Sequence, residues 1–133
     1  LLNRLPRRSW STVRWETFVD DLFPIFDVFV HVPEDQLSEA FGFVYVETLT
    51  TGTPSVLTAS GILHELDPGK LKGIMVVPFK DPAAIEAAMR HWIAQGTSPE
   101  QRLEMARVNT AYLNTVIGAR QKMERLYEFY DHA

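Results

Sequence analysis

The chain has 133 residues, 46% of them hydrophobic, which fits one compact unit able to bury a real core. A net charge of −4 and a pI near 5.5 argue against nucleic acid as a partner, because general nucleic-acid binding usually shows a basic surplus. The absence of cysteine excludes disulfide staples and thiolate zinc sites and suits a cytoplasmic setting. No apolar stretch approaches the ~20 residues that span a bilayer, and Arg4, Arg7 and Arg8 precede no hydrophobic signal core, so the expectation is a soluble protein without a transmembrane segment.

The first 25 residues carry the weakest pattern: Ser11 to Trp15 reads as a short strand and Glu16 to Leu22 as a helical turn. Between Pro24 and Pro33, Phe26, Val28, Val30 and Val32 interleave with Asp27, Phe29 and His31, a β-rich run that predicts a buried strand. Residues 43 to 51 follow as a helix stopped by Gly52 and Pro54, and residues 55 to 59 form a second strand. The three pieces make one βαβ unit, whose strands should be parallel. A third strand is expected at 74 to 77. Asp81 then caps a helix with Pro82 at its first position, and Ile85, Ala88, Met89, Trp92 and Ile93 mark its apolar face up to Gly96. Ser98, Pro99 and Gln101 spell a capping box for a long helix with Leu103, Ala106, Leu113 and Ile117 on its apolar face, and Gly118 ends it before a last helix through Leu126, Tyr127 and Tyr130. The fold class is α/β: a Rossmann-like parallel sheet with flanking helices, closed by C-terminal helices over 99–133.

The most informative segment runs from Ser38 through Glu39, Ala40, Phe41, Gly42, Phe43 and Val44 to Glu47. Its first acid sits in the loop after a strand, and its second lies about one turn into a helix. A helix N-terminus carries unpaired N–H groups and roughly half a positive charge, which favour phosphate. Carboxylates repel phosphate but accept hydrogen bonds from sugar hydroxyls. The combination describes a nucleotide-sugar site. The peptide N–H groups of Phe41, Gly42, Phe43 and Val44 are the expected cradle for donor sugar and phosphate, with Gly42 allowing close approach of backbone to ligand. Each residue also has a plainer reading: Glu47 as an acid placed well against the helix dipole, Glu39 as an exposed loop acid, Gly42 as ordinary turn chemistry.

From Phe26 to Ile93, through Asp27-Val28-Phe29-Val30, Glu39 to Glu47, Gly52-Thr53-Pro54, Ser60-Gly61 with Glu65, and Val76-Val77-Pro78 with Asp81-Pro82, the chain resembles the C-terminal donor-binding domain of retaining glycosyltransferases of the two-Rossmann-domain (GT-B) type, most like family 4. The resemblance implies that Glu47 accepts both hydroxyls of the donor ribose. It implies that Glu39, the catalytic position, contacts the transferred sugar and orients its anomeric carbon. The donor is then a nucleotide diphosphate sugar, no further cofactor or metal is expected, and the acceptor, a carbohydrate or lipid-linked molecule, is met through an N-terminal domain outside this chain. The resemblance also implies two further strands ahead of the first one here, with an Arg and a Lys for the diphosphate. Lys70, Lys72 and Lys80 do not follow such a strand, so the chain is expected to be part of a longer enzyme, inactive by itself. The family's paired glycines are reduced to Gly61 alone.

Other readings stay open. Paired carboxylates also serve glycoside hydrolases, but the alternating βα pattern favours a transferase. A non-catalytic nucleotide-binding module and a sugar-nucleotide epimerase are the alternatives, and a dehydrogenase would need a Gly-x-Gly-x-x-Gly that the chain lacks. His31 at the end of its strand reads first as a structural group, His91 and His132 as solvent-facing, and the four histidines show no metal-ligand spacing.

Overall fold

The computed structural model describes residues 5–118. Three short strands, β1 (Phe29–His31), β2 (Ser55–Leu57) and β3 (Ile74–Val76), form a parallel sheet in the order β1-β2-β3, with Val30 beside Val56 and Val56 beside Met75. Adjacent, parallel strands are what the βαβ reading requires. Each strand is shorter than expected, and β1 is half-buried, not buried, because among the described residues only β2 flanks it. The central strand β2 is wholly buried along its length, as a parallel strand covered on both faces should be.

Two helical layers cover the sheet. On one face lie α1 (Phe43–Thr51) and α3 (Pro99–Ile117), enclosing Tyr45, Leu49, Leu57, Ile62, Leu63 and Leu113 with Phe29 and Ile74 packed against them. On the other, α2 (Pro82–Gln95) sets Ala88, Ile85, Met89 and Trp92 against Val56, Val77, Val28, Val30 and Val32. Side chains of a strand alternate faces, so Phe29 joins one core and its neighbours Val28 and Val30 the other. The result is a Rossmann-like α/β sandwich.

The helix ends follow their sequence signals. The Asp81 carboxylate accepts the Ala84 N–H at 3.0 Å with Pro82 at the first helical position, and Ser98 with Gln101 completes the capping box. Gly52 ends α1 in the left-handed region at φ 68°, where a Cβ would lie 2.0 Å from the Arg102 carbonyl oxygen of α3. Only glycine lets the two helices approach this closely. The connection from β2 to β3 contains no α-helix and runs through 3₁₀ turns at Gly61–His64 and Pro68–Lys70.

Two expectations need correction, one is met in shortened form, and one lies outside the described residues. Residues 11 to 15 form no strand: Val13 and Trp15 are exposed and no sheet edge receives them, so β propensity finds no partner. The helical turn expected over 16 to 22 is a 3₁₀ turn at Val19–Asp21, followed by another at Phe23–Ile25. Leu103 is 73% exposed and Ile93 63%, because the buried stripes of their helices pass instead through Asn109 and Leu113, and through Ala88. The helix expected through Leu126, Tyr127 and Tyr130 lies outside the described residues.

Asn109 is a polar residue within α3, yet it is 1% exposed and joins three elements. Its Nδ2 donates to the Leu49 carbonyl at the end of α1 and to the Lys72 carbonyl ahead of β3, both at 3.0 Å, and its Oδ1 accepts the Lys72 N–H at 2.8 Å. Replacement by leucine keeps most of the volume and leaves the Lys72 N–H and carbonyl without this partner, while the Leu49 carbonyl keeps only the Gly52 N–H at 3.3 Å. Each buried orphan costs about 1–3 kcal/mol. Asn109→Leu should therefore lower unfolding free energy in urea by at least about 2 kcal/mol. A change within about 0.5 kcal/mol, the range of ordinary surface substitutions, would show that the bridge contributes little.

Candidate functional site at the carboxyl edge of the sheet

The strands of a parallel sheet all point their carboxyl ends to one edge, and ligands of open α/β sheets bind outside that edge. Here it gathers the loop from Val32 to Gly42 after β1, the Thr58 to Gly61 turn after β2, and the Val77 to Asp81 turn after β3. The first two are sewn together. Phe41 accepts the Ile62 N–H at 2.7 Å, the Glu39 N–H donates to the Ser60 hydroxyl at 3.2 Å, and that hydroxyl donates to the Gln36 carbonyl at 3.0 Å. Two glycines permit the approach. At Gly61, φ 52°, a Cβ would stand 2.4 Å from the Phe41 oxygen; at Gly42, φ 76°, it would stand 2.6 Å from the Tyr45 ring. The lone Gly61 thus keeps a positive φ, but its role visible here is steric, not that of a ligand-binding glycine run.

Gly42 is the N-cap of α1 and supplies no capping side chain. Among the described residues no acceptor closes on the N–H groups of Phe41, Gly42, Phe43 or Val44, while Tyr45 already donates to the Gly42 carbonyl at 3.0 Å. The helix mouth is therefore open to an anionic or carbonyl acceptor. Phe41 is half-buried and holds the exposed ring of Phe43 at 4.8 Å between centroids.

The two glutamates occupy different surroundings. Glu39 is half-buried, and its Oε1 lies 3.1 Å from Nε2 of His31, the last residue of β1. Glu47, in the second turn of α1, lines a hollow of about 330 Å³ with Thr17, Phe18, Val19 and Asp21. Glu39 does not line that hollow. The segment that brings Thr17 to Asp21 over Glu47 was not foreseen as part of a site, since its pattern suggested only a helical turn. The contact between His31 and Glu39 is likewise invisible in the sequence. A strand-end histidine gives no signal for the loop residue it will meet, because the path from Pro33 to Ser38 is set by contacts with Thr58 and Ser60.

The remaining candidates do not converge here. His64 and His91 are exposed, as expected for His91. Lys80 follows β3 in a left-handed conformation, φ 57°, and reaches Glu34 at 3.8 Å on the open surface. Among the described residues no group of three His, Asp or Glu could hold a metal ion. Nor is any described helix long and apolar enough to cross a membrane.

Behind the helix mouth, Tyr45 is fully buried and donates its hydroxyl to the Thr58 carbonyl at 3.1 Å. Burial first, and then the nearby Glu39 carboxylate, push the phenol up from its ordinary value near 10 to about 12. A raised value means the folded chain keeps a proton that the unfolded chain gives up, so this contribution to stability is complete below about pH 10 and fades as pH climbs toward 12. In a spectrophotometric titration the phenolate signal removed by Tyr45→Phe should be the late one, centred near 12. Loss of a signal centred near 10 would contradict this environment.

Comparison with known proteins adds one match. A family model described as "Glycosyl transferases group 1" matches residues 11–109, which include all three strands, both glutamates and the segment over Glu47. No curated protein and no solved structure matches significantly. With the family model spanning most of its length, the chain belongs to the group 1 glycosyltransferases.

Proposed function

We propose that this domain binds the donor of a retaining glycosyltransferase of the GT-B type, most like family 4, and that the donor is a nucleotide diphosphate sugar. The observation that carries the reading is the meeting, at one sheet edge, of an open helix mouth with a half-buried carboxylate beside it and a second one a turn along the helix. The N–H groups of Phe41 to Val44 would receive phosphate or sugar oxygens, which are acceptors. Glu47 would accept both ribose hydroxyls, and Glu39 those of the transferred sugar.

In this reading the carboxylates position the donor and do not attack it. Departure of the diphosphate is the hard step, and its developing negative charge is stabilised by oriented N–H groups and by cationic groups supplied outside this segment. A helix mouth contributes about 0.3–1 kcal/mol toward an anion, whereas a hydrogen bond to a charged group contributes about 1.5–3 kcal/mol. Glu47 therefore matters more to nucleotide affinity than the helix dipole does. The acceptor, carbohydrate or lipid-linked, would meet the donor across a cleft formed with another domain, and the reaction would run in the cytoplasm.

The two glutamates have separable signatures. In the full-length protein, Glu47→Ala should weaken binding of the bare nucleoside diphosphate at least about tenfold, since about 1.4 kcal/mol is a factor of ten. Glu39→Ala should leave that affinity nearly unchanged and lower turnover. Calorimetric titration of both variants decides the matter. Wild-type affinity in Glu47→Ala would reject it as the ribose ligand and leave the motif a structural helix start.

A further inference from the structure

We propose that His31 is a positioning residue that fixes the Glu39 carboxylate for the transferred sugar. The inference rests on the reading of Glu39 given above and adds the group that aims it. A glutamate has three side-chain torsions, and one held only by its backbone would sample many orientations over a sugar ring. Glu39 is held twice: its N–H by Ser60, and its Oε1 by His31 Nε2 at 3.1 Å. Because the carboxylate can only accept, the imidazole carries its proton on Nε2 in this contact. One oxygen is engaged and the other keeps its lone pairs for sugar hydroxyls.

His31 is itself fixed from two sides. Its ring stacks on Phe29 at 6.3 Å and 21°, and meets Tyr45 edge to face at 5.1 Å and 71°. As the last residue of β1 its backbone is held by the sheet and by the Thr58 N–H, which donates to its carbonyl at 3.3 Å. With side-chain exposures of 27% and 31%, the pair is shielded on one side and open on the other, as a group that must both hold still and touch a ligand should be. Polarity alone would not require a histidine here, since a half-buried edge position accepts many residues. The ring's reach to Glu39 does.

The test uses the full-length protein with UDP-glucose and GDP-mannose as probes, following release of nucleoside diphosphate. His31→Leu, which keeps an apolar body but has no donor, should lower kcat about tenfold while leaving affinity for bare UDP or GDP within about twofold. His31→Gln, whose amide can still reach the carboxylate, should recover most of the rate. His31→Asn, too short to reach, should behave as His31→Leu does, and it replaces that variant if the leucine chain fails to fold. In a Glu39→Ala background, His31→Leu should cost nothing more, because the two act as one unit. Equal losses with and without Glu39, or no rescue by glutamine, would overturn the inference and leave His31 a structural residue. Unchanged turnover in Glu39→Ala alone would instead overturn the functional reading on which it rests.

Discussion

The hydrogen bond from Ile62 N–H to the Phe41 carbonyl, 2.7 Å long, ties the loop after β1 to the turn after β2, and the geometry of the whole carboxyl edge depends on it. The bond forms only because Gly61 presents no side chain where a Cβ would lie 2.4 Å from the same oxygen. Once the loop is drawn in, Ser60 reaches the Glu39 N–H, His31 reaches the Glu39 carboxylate, and Gly42 turns over the Tyr45 ring to start α1. A side chain at either glycine would be strained by its positive φ and would also collide with backbone or a buried ring. Sequence, local conformation and the aim of two carboxylates are thus one chain of causes.

The far end of α1 is fixed as firmly. Gly52 admits the Arg102 carbonyl of α3, Asn109 binds the last turn of α1 and the approach to β3, and the Thr53 hydroxyl donates to the Phe23 carbonyl at 2.8 Å. Arg102 adds a bond to the Pro24 carbonyl at 2.9 Å, so the segment ahead of β1 is laid against the same helices. That segment, through Thr17 to Asp21, walls the hollow at Glu47. A rigid α1 with both ends anchored is what a ligand-positioning helix requires, because misplacement of about 1 Å is costly to catalysis.

Features written in local chemistry were legible in the sequence. Helix α1 begins at Phe43 and ends at Thr51, as the Gly42 and Gly52 flanks indicate, and the Asp81-Pro82 and Ser98-Pro99-Gln101 signals start α2 and α3 where expected. Features that depend on distant partners were not. Periodicity put Leu103 inside and ignored Asn109, because an asparagine becomes a core residue only when two carbonyls and an N–H from other elements meet it. The β-prone residues 11 to 15 found no neighbouring strand. His31 and Glu39 are eight positions apart on a strand and a loop, and their contact is set by where Ser60 and Thr58 pull that loop. The sequence suggests one helix mouth flanked by two acids; in the fold each acid has its own surroundings, one backed by a histidine and one facing a hollow.

A crystal structure of the full-length protein with a nucleoside diphosphate sugar bound tests the central reading most directly. The account predicts the ribose hydroxyls on the Glu47 carboxylate, the sugar against Glu39 with His31 still at its Oε1, and oxygens of the diphosphate or sugar within hydrogen-bond reach of the N–H groups of Phe41 to Val44. A donor bound away from the mouth of α1, with both glutamates untouched, would contradict it.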